Sequence, residues 1–346
     1  MSVKFTLVTT VFNEAKRLDD TIADIEAQTW KPDEVIVIDA GSTDGTMERL
    51  ARWGRESTIS IRAEVMPKCN IAQGRNYAIS IARNELIAST DFGCRYKPMW
   101  LENLMKPFTE IEGLEISTGN FTVKEEEIQT LPAKSDYILQ NGYQYGLHWP
   151  YLPSSRSIAY WRYVWEKAGK YPEWVTLTAD DSTFWYVLEK IGFKTNIHWE
   201  RDVYWMRHNK YVGFAKEALR YGVGEGETKS GLRNFYSNMV ETTCRYTMPV
   251  TLFMMMIFAV LEMPWYVLIP ILAIQTFGLR SYIRAIKQWN TFKGNPKYHT
   301  LEVLFSCFRQ IEISRINHTK GFMKGYWKSP EWVQAEGRKL QAFLKA

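Results

Sequence analysis

The sequence predicts an α/β fold with a mainly parallel sheet flanked by helices, followed by a C-terminal helical region that associates with a membrane. Apolar runs alternate with segments of helical periodicity over the first ninety residues, which is typical of a parallel sheet with crossover helices. A long stretch at 248–279 carries a single charged residue, Glu262. The chain has 346 residues, 46% of them hydrophobic, which allows a packed core and about two domains and excludes a mainly disordered or repetitive chain.

Three strands are predicted from short apolar runs rich in β-branched residues, at 3–11, 34–38 and 85–90. The segments between them have helical spacing: Leu18, Ile22 and Ile25, then 47–53, then 71–83. The carboxyl ends of parallel strands share one edge of a sheet, and ligands bind beyond that edge. The residues predicted at this edge are Asn13, Asp39 and Asp91.

The region from about 115 to 245 is aromatic and less regular. One helix is clear within it, because Phe184, Val187, Leu188 and Ile191 share a face after Asp181. Gly192 is predicted to end that helix.

Cysteine usage and charge exclude several classes of protein. The four cysteines are scattered and form no CxxC pair, which argues against a disulfide framework or a structural zinc site. The net charge of +5 is uneven, since residues from Arg280 onward hold thirteen Lys or Arg against four Asp or Glu. An acidic body with a basic tail suits an anionic membrane surface, and no nucleic-acid partner is expected.

The apolar stretch at 248–279 is predicted to form a hairpin. Its first half, Pro249–Leu261, makes about 20 Å of helix against a hydrocarbon core of about 30 Å, and Met263–Leu279 is borderline. Basic residues flank both ends, so the hairpin is expected to enter and leave from the cytoplasmic face. The alternative is a buried helical pair in a soluble core. After it, an interfacial helix is predicted from one apolar face: Leu301, Leu304, Phe305, Phe308 and Ile311.

The polar residues at the sheet edge suggest a site for a phosphorylated ligand. Carboxylates there can bind ribose hydroxyls or a base N–H, or can hold a divalent cation beside a diphosphate. Arg75, at a nearby helix start, has a guanidinium that can bind phosphate through two hydrogen bonds. Neither a Walker A sequence nor a GxGxxG motif follows the first strand, which disfavours P-loop and dinucleotide-binding proteins.

Four motifs occur in the order found in family 2 glycosyltransferases, and the chain resembles that family over about residues 3–225. These motifs are Thr9-Thr10-Val11-Phe12-Asn13-Glu14, Val37-Ile38-Asp39-Ala40-Gly41-Ser42-Thr43-Asp44-Gly45-Thr46, Gln73-Gly74-Arg75-Asn76 and Thr90-Asp91-Phe92-Gly93-Cys94. The resemblance implies the GT-A fold and an inverting hexosyltransferase-type enzyme that uses a nucleotide-diphosphate sugar. It also implies Mg²⁺ or Mn²⁺ as cofactor.

The resemblance assigns a nucleotide-sugar site and a metal ligand. The expected nucleotide-sugar-binding residues are Thr9, Asn13, Glu14, Asp39, Arg75, Asp91 and Arg156. Asp91 is also the expected metal ligand. The chain departs from the family pattern twice, because Asp39 is followed by Ala40 and because Asp91-Phe92-Gly93 replaces Asp-x-Asp. The first departure predicts that one nucleotide contact is missing, and the second predicts weaker metal binding or independence from metal.

An acidic pair, Asp180-Asp181, precedes the helix of the aromatic region. A helix N-terminus commonly carries such acids, which is the structural explanation. Family members have an acidic pair at this position, and its second member resembles the general base that deprotonates the acceptor hydroxyl. Asp181 is therefore the expected base, with Asp180 as the alternative or as an orienting partner.

Three further features have open interpretations. Arg156, in a serine-arginine segment, could bind the donor diphosphate, an acidic acceptor, or a structural carboxylate. The glycine-rich run 220–226 resembles a segment of membrane-associated relatives and could be a mobile loop over the donor or a set of turns. An aromatic cluster could line an acceptor cleft or belong to the core: Tyr143, Tyr145, His148, Trp149, Tyr151, Trp161 and Trp165.

The prediction is a GT-A catalytic domain at 1–235 and a membrane-associated helical region at 236–346, with the hairpin at about 248–279 and a basic amphipathic tail at 280–346. The expected activity is inverting transfer of a sugar from a nucleotide-diphosphate sugar to a lipid-linked or glycan acceptor, with the catalytic domain in the cytoplasm at the membrane surface. Two alternatives stay open: a catalytically degenerate scaffold subunit and a sugar nucleotidyltransferase.

Overall fold

The computed structural model describes residues 3–143 and 152–346. The chain divides into two compact units: a first unit of residues 1–125, 144–207 and 342–346, and a second unit of residues 126–143 and 208–341. The predicted boundary between 235 and 236 falls inside one continuous helix, Leu232–Val260. The proposed division into a catalytic domain and a membrane region stays a prediction.

The strands of the first unit form one mixed sheet. Within the described residues they are β1 Phe5–Val11, β2 Glu34–Asp39, β3 Ser60–Val65, β4 Leu86–Ser89, β5 Arg95–Tyr96, β6 Ile116–Thr122, β7 Ile158–Trp161 and β8 Thr195–Tyr204. Their order is β3-β2-β1-β4-β7-β6-β8-β5. The pairs among β3, β2, β1 and β4 are parallel, as are β6 and β8, while β7 runs antiparallel to both its neighbours.

The α-helices flank this sheet in the first unit and form the second unit. In chain order they are α1 Ala15–Glu26, α2 Thr46–Glu56, α3 Ile71–Ile81, α4 Trp100–Met105, α5 Pro107–Glu110, α6 Leu131–Leu139, α7 Arg162–Lys167, α8 Asp180–Ile191, α9 Tyr211–Glu227, α10 Leu232–Val260, α11 Ile269–Gln275, α12 Arg280–Thr291, α13 Leu301–Lys328 and α14 Glu331–Lys345. Short 3₁₀ segments at Trp265–Leu268 and Thr276–Leu279 flank α11.

Both faces of the sheet are buried at β1, β2 and β4. Leu7 and Val35 belong to one hydrophobic cluster, whereas Val8 and Ile36 belong to the other. Successive residues of a strand point to opposite faces, so a strand covered on both sides needs an uninterrupted apolar sequence. That explains why β1, β2 and β4 were predictable, and it confirms the predicted α/β fold class.

Strand β3 was not predicted, because it does not have the buried apolar pattern of its neighbours. Arg62 and Glu64 lie within it, and each of its residues is exposed or half-buried. Its partner β2 is buried throughout and fixes its register, with Val35 opposite Ile61. Gly192 ends α8 in the left-handed conformation (φ +86°), as predicted.

The glycine-rich run 220–226 is neither a mobile loop nor a set of turns, because it lies inside α9. A Cβ added to Gly222 would lie 2.2 Å from the carbonyl oxygen of His318 on α13, and one added to Gly325 would lie 2.1 Å from that of Val223. These glycines allow the backbones of α9 and α13 to approach closely. The prediction was wrong because glycine in sequence marks flexibility and close helix packing alike.

The second unit contains an apolar hairpin. Its first arm is the end of α10, its second arm is the segment Trp265–Leu279, and α12 follows at its base. Leu232–Val260 and Trp265–Thr291 are long and apolar enough to cross a membrane by length and composition. Few residues in these stretches are covered by the rest of the protein. Among the described residues the apolar segment is thus a mostly exposed helical hairpin, and its position in a membrane stays a prediction.

Candidate active site

The loop after β2 is folded around the carboxylate of Asp39, which is fully buried. Asp39 accepts hydrogen bonds from the backbone N–H groups of Gly41 (3.2 Å) and Ser42 (2.8 Å) and from the Ser42 hydroxyl (2.5 Å). Asn13, at the end of β1, donates its N–H to Ser42 Oγ (2.7 Å) and accepts from the N–H of Thr43 (2.9 Å). The first two strand ends are therefore tied together by the polar residues that the motif supplies.

Glu14 lies beside the loop that follows β4. Its carboxyl is half-buried, and burial raises its pKa, with Arg17 lowering it and Asp44 raising it further. A Cβ added to Gly93 would lie 3.3 Å from Glu14 Oε2. Gly93 also has φ +95°, which favours glycine. Glu14 thus occupies the space next to the position where Asp-x-Asp has its second carboxylate.

Arg75 is the centre of the site and is buried, with 1% of its surface exposed. Its Nη1 donates to Asp180 Oδ2 and its Nη2 to Asp91 Oδ1, each at 2.8 Å. The guanidinium carbon lies 4.9 Å from the centre of the Tyr171 ring. Burial opposes the charge, but Tyr171, Asp91 and Asp180 outweigh it and raise the Arg75 pKa. Arg75 binds two carboxylates in this arrangement, and it joins the end of β4 to the start of α8.

The two acids at the start of α8 have different environments. Asp180 is 7% exposed, and its pKa is raised to about 6, because burial disfavours the carboxylate more than Arg75 favours it, and Asp181 and Asp91 add to the rise. Asp181 is half-buried; it accepts from the Ser154 hydroxyl (3.0 Å) and from the Ser182 N–H (2.8 Å). The partly exposed acid is therefore Asp181, whereas Asp180 is enclosed with Arg75.

Arg156 connects the two acidic regions. Its Nη1 donates to Ser154 Oγ (3.0 Å), the hydroxyl that in turn donates to Asp181. Its Nε lies 3.7 Å from Asp91 Oδ2. The guanidinium carbon is 4.2 Å from the centre of the Trp205 ring, over which the Arg207 guanidinium also lies at 4.1 Å. Two cations thus lie over the Trp205 indole, and one of them, Arg156, also lies beside Asp91.

The carboxylate oxygens available at Asp91 fit a divalent cation that is held mainly by a bound diphosphate. Asp91 Oδ1 accepts from Arg75, Oδ2 lies 3.7 Å from Arg156 Nε, and the carboxylate is 36% exposed. One carboxylate oxygen suffices where a diphosphate and water complete the coordination shell, as is usual for Mg²⁺.

A different group of side chains on β8 is geometrically able to hold a metal: His198, Glu200 and Asp202. Its buried Asp202 already accepts from His198 (3.0 Å) and Asn103 (2.9 Å).

The structure brings together five of the predicted residues through hydrogen bonds and ion pairs around Arg75 and Ser154: Arg75, Asp91, Arg156, Asp180 and Asp181. Asn13, Glu14 and Asp39 lie at the neighbouring strand ends. Thr9 is fully buried within β1, where its hydroxyl donates to Thr10 O (3.4 Å).

Sequence reasoning missed Ser154 and Trp205 as parts of the site. No sequence signal indicated Trp205, because the strand that it follows, β8, was not predicted.

The predicted aromatic cluster is only partly within the described residues. Tyr143 and Trp165 are buried there, with Trp161 partly so, and they belong to packed regions. Tyr145, His148, Trp149 and Tyr151 lie outside the described residues. An acceptor cleft lined by this cluster stays a prediction.

The model of the family described as Glycosyl transferase family 2 matches residues 6–220. An uncharacterised glycosyltransferase of Nostoc sp. (strain PCC 7120) is 26% identical over 173 residues, which are 48% of this chain and 53% of that protein. The glycosyltransferase GlyG of Streptococcus pneumoniae serotype 4 is 28% identical over 121 residues, 35% of this chain and 40% of that protein. The chain thus spans about half the length of the curated relatives it matches.

Among solved structures, the chain is similar to the mannosyltransferase PcManGT of Pyrobaculum calidifontis, solved in complex with GDP-Man and Mn²⁺. The TM-score is 0.55 with 16% sequence identity, over 95% of this chain and 89% of that one. At this identity the likeness concerns the fold. The predicted GT-A fold is confirmed.

Proposed function

The chain belongs to glycosyl transferase family 2, and from this premise we propose that it transfers a sugar, with inversion, from a nucleotide-diphosphate sugar to a hydroxyl of a lipid-linked or glycan acceptor. Glycosyltransferase activity itself follows from the family. The donor, the acceptor, the stereochemistry and the cellular location are the proposal.

The arrangement of Asp181 is the observation that carries the proposal. Inversion needs a base on the side of the sugar opposite the leaving diphosphate, within hydrogen-bond reach of the acceptor hydroxyl. Asp181 is the more exposed of the two acids, and Ser154 orients its carboxylate. We propose that Asp181 takes the acceptor proton as the acceptor oxygen bonds to the anomeric carbon and the bond from that carbon to the diphosphate oxygen breaks.

Asp180 and Arg75 are proposed as positioning residues. Both are buried and bonded to each other, so they hold α8 and the loop after β4 in register. Displacement of a base by about 1 Å removes a large part of its contribution to the rate, so a rigid connection of this kind favours catalysis. Asp180 stays the alternative base that the acidic pair allows.

The leaving diphosphate is proposed to meet Arg156. This guanidinium is stacked on Trp205 and faces Asp91, so it is pre-oriented for a planar, doubly hydrogen-bonded contact with phosphate. A Mg²⁺ or Mn²⁺ ion, when bound, neutralises part of the charge that develops on the diphosphate. Asp91 is the residue that would hold it. The solved PcManGT complex contains Mn²⁺ and GDP-Man, which supports a nucleotide sugar and a divalent cation here by likeness of fold only.

The acceptor and the location are inferred from the second unit. Two apolar helical stretches in the same chain support attachment to a membrane. A lipid-linked acceptor is confined to the bilayer, so attachment of the enzyme would favour encounters with it. Basic residues after the hairpin, Arg280, Arg284 and Lys287, support a cytoplasmic position of the chain by the positive-inside rule.

Transfer by purified wild type and Asp181→Asn, assayed with UDP-, GDP- and dTDP-sugars with and without Mn²⁺, tests this function. Loss of the base should reduce transfer by about 10²- to 10⁴-fold and leave nucleotide binding nearly unchanged. Asp20→Asn is the matched control, because that carboxylate is 66% exposed on α1. Undiminished transfer by Asp181→Asn would refute the assignment of the base.

The same assay, extended by a sugar phosphate with a nucleoside triphosphate as substrates, separates the two alternatives. A scaffold subunit would show no turnover with any donor. A nucleotidyltransferase would form a nucleotide sugar from a sugar phosphate and a nucleoside triphosphate. It would normally show a glycine-rich, basic loop after β1, where this chain has Phe12-Asn13-Glu14-Ala15.

A further inference from the structure

The apolar hairpin of the second unit is exposed on all sides. Residues 248–261 of its first arm and 263–274 of its second arm contain no charged side chain. Large apolar side chains project throughout, with Val260 76% and Ile274 69% exposed. A helix that packs on a soluble body exposes only its polar face, whereas one apolar all round needs apolar surroundings on every side.

A network of buried charges marks the base of the hairpin. Arg245 on α10 is 9% exposed and pairs with Glu312 of α13 at 2.6 Å; it also donates to the carbonyl oxygen of Gly278 (2.5 Å) at the end of the second arm. One turn earlier on α10, Glu241 pairs with Arg315 of α13 at 3.1 Å. Hydrocarbon cannot reach below this level without surrounding several charged groups.

A single polar bridge lies directly above this base. Gln275 Nε2 donates to Thr247 Oγ1 (2.9 Å), which joins the second arm to the first. Polar side chains within a bilayer are tolerated when they bind a neighbouring helix. The pairing therefore fits a position just inside the apolar region.

The two arms cover about the same distance although they differ in residue number, because the rise per residue differs between them. From Arg245 to the tip at Glu262, the first arm is mostly α-helix and covers about 25 Å at 1.5 Å per residue. The return arm has fewer residues, but 3₁₀ segments at Trp265–Leu268 and Thr276–Leu279 rise about 2.0 Å per residue. It therefore also covers about 26 Å.

The tip of the hairpin has the composition of a membrane–water boundary. Glu262 is exposed in a turn with φ +56°, and Trp265 and Tyr266 follow it, 43% and 61% exposed. Tryptophan and tyrosine concentrate where headgroups meet hydrocarbon. A charged residue at the tip thus lies about 25 Å from the charged base, close to the hydrocarbon thickness of about 30 Å.

We propose that the hairpin crosses the bilayer twice, so that Glu262 reaches the headgroups opposite the side that holds α12 and α13. This rests on the proposed membrane attachment and specifies its form. The hairpin is about 5 Å shorter than the hydrocarbon core is thick. Insertion without tilt and local thinning of the bilayer accommodate this difference, at a cost of only fractions of a kcal/mol per Å. Arg280, Arg284 and Lys287, all exposed beside the base, stay on the near side.

Two other positions in the membrane are less favourable. A hairpin that turned back within the hydrocarbon would leave the Glu262 carboxylate among lipid chains, at a cost of several kcal/mol. One lying flat on the surface would keep Glu262 in water but would leave one apolar side of each arm exposed to water as well.

Accessibility of a cysteine at the tip tests the crossing. Glu262→Cys in the full chain is expressed in sealed cells and treated with a membrane-impermeant maleimide, with denatured chain as the measure of total labelling. Most of the Glu262→Cys chain should be labelled from outside, while Lys287→Cys on exposed α12 should be labelled only after the cells are opened. The parent chain gives the background from its four native cysteines.

The outcomes separate the crossing from the attachment. Glu262→Cys that is protected in sealed cells, whether it reacts after opening or only after denaturation, would overturn the two crossings. Carbonate-washed membranes report attachment independently, because a chain that leaves the membrane fraction would refute the proposed membrane position itself. Neither result depends on sugar transfer.

Discussion

At the scale of single residues, the site depends on one buried arginine between two carboxylates. Each terminal nitrogen of Arg75 donates to a carboxylate, Nη1 to Asp180 and Nη2 to Asp91. Breaking a buried pair from one side leaves an uncompensated charge, which costs about 3–5 kcal/mol. Replacement of either partner is therefore expected to destabilise the site.

Asp180 predicts the pH dependence of the enzyme. Its pKa is raised to about 6 by burial, against the opposing effect of Arg75. Transfer should decline as the pH falls through about 6, because protonated Asp180 gives up its ion pair with Arg75. A pH–rate profile of wild type and Asp180→Asn measures this, and the variant should lose the decline near pH 6 along with much of its rate.

The raised pKa of Asp180 also determines how the free energy of unfolding changes with pH. A folded-state pKa above the ordinary value means that Asp180 contributes most to stability below about pH 4, and that this contribution is lost as the pH rises through about 6. Between about pH 4 and 6, the unfolding free energy of wild type should therefore fall more than that of Asp180→Asn. Equal pH dependence of the two chains in thermal unfolding would contradict this.

Arg156 predicts the affinity for the donor. Arg156→Ala should weaken binding of a nucleoside diphosphate about ten- to hundredfold, since hydrogen bonds to charged groups contribute about 1.5–3 kcal/mol. Arg156→Lys should recover only part, because an ammonium cannot stack on Trp205 as a guanidinium does. Calorimetric titration with UDP and GDP measures both. Lys167→Ala, which removes a cation over Tyr163, is the control, and a similar loss there would refute a specific role of Arg156.

At this scale the sequence predicted residue types better than contacts. The strand-end residues Asn13, Asp39 and Asp91 could be predicted because parallel strands end at one edge. The bond between Arg75 and Asp180 joins residues 105 positions apart, and it depends on how α8 packs on the sheet. The stack of Arg156 on Trp205 could not be predicted for the same reason.

At the scale of elements, close packing of α9 on α13 determines the second unit. Gly222 and Gly226 on α9 face Gly321 and Gly325 on α13, where any Cβ would lie within 2.5 Å of a backbone oxygen. A side chain at these positions cannot be accommodated by rotation, because the obstacle is main chain. The helices would have to separate.

Gly325→Ala is therefore expected to destabilise the chain. Its methyl would meet the carbonyl oxygen of Val223 at 2.1 Å, and forced overpacking of this kind costs about 1–3 kcal/mol. Gly54→Ala in α2 is the matched control, because its methyl would have only ordinary contacts, the nearest at 3.8 Å, and alanine favours helix. Thermal unfolding should show a lower melting temperature for Gly325→Ala alone, and equal effects would contradict the packing.

Elements were predictable from sequence where one physical requirement dominated. The fully buried strands β1, β2 and β4 required uninterrupted apolar residues, and α8 required an apolar face and a terminal glycine. Strand β3 and helix α9 were not predictable, because pairing with β2 and contact with α13 decide their structure. Both depend on residues distant in sequence.

At the scale of the whole molecule, the uneven charge corresponds to two kinds of surface. The net charge of +5 combines a first part of the chain with more acidic than basic residues and a strongly basic part after residue 279. The basic part follows directly on the apolar hairpin. A membrane with anionic headgroups would attract it by about 1 kcal/mol for each Lys or Arg near its surface.

The central claim is that a family 2 glycosyltransferase uses Asp181 to transfer sugar to an acceptor held in a membrane. It is tested most directly by the incorporation of labelled sugar into the lipid extract of membranes that contain either wild type or Asp181→Asn. The account predicts incorporation from at least one of the UDP-, GDP- and dTDP-sugars by wild type, reduced about 10²-fold or more in the variant. Equal incorporation by the two chains, or none by wild type from any donor, would contradict it.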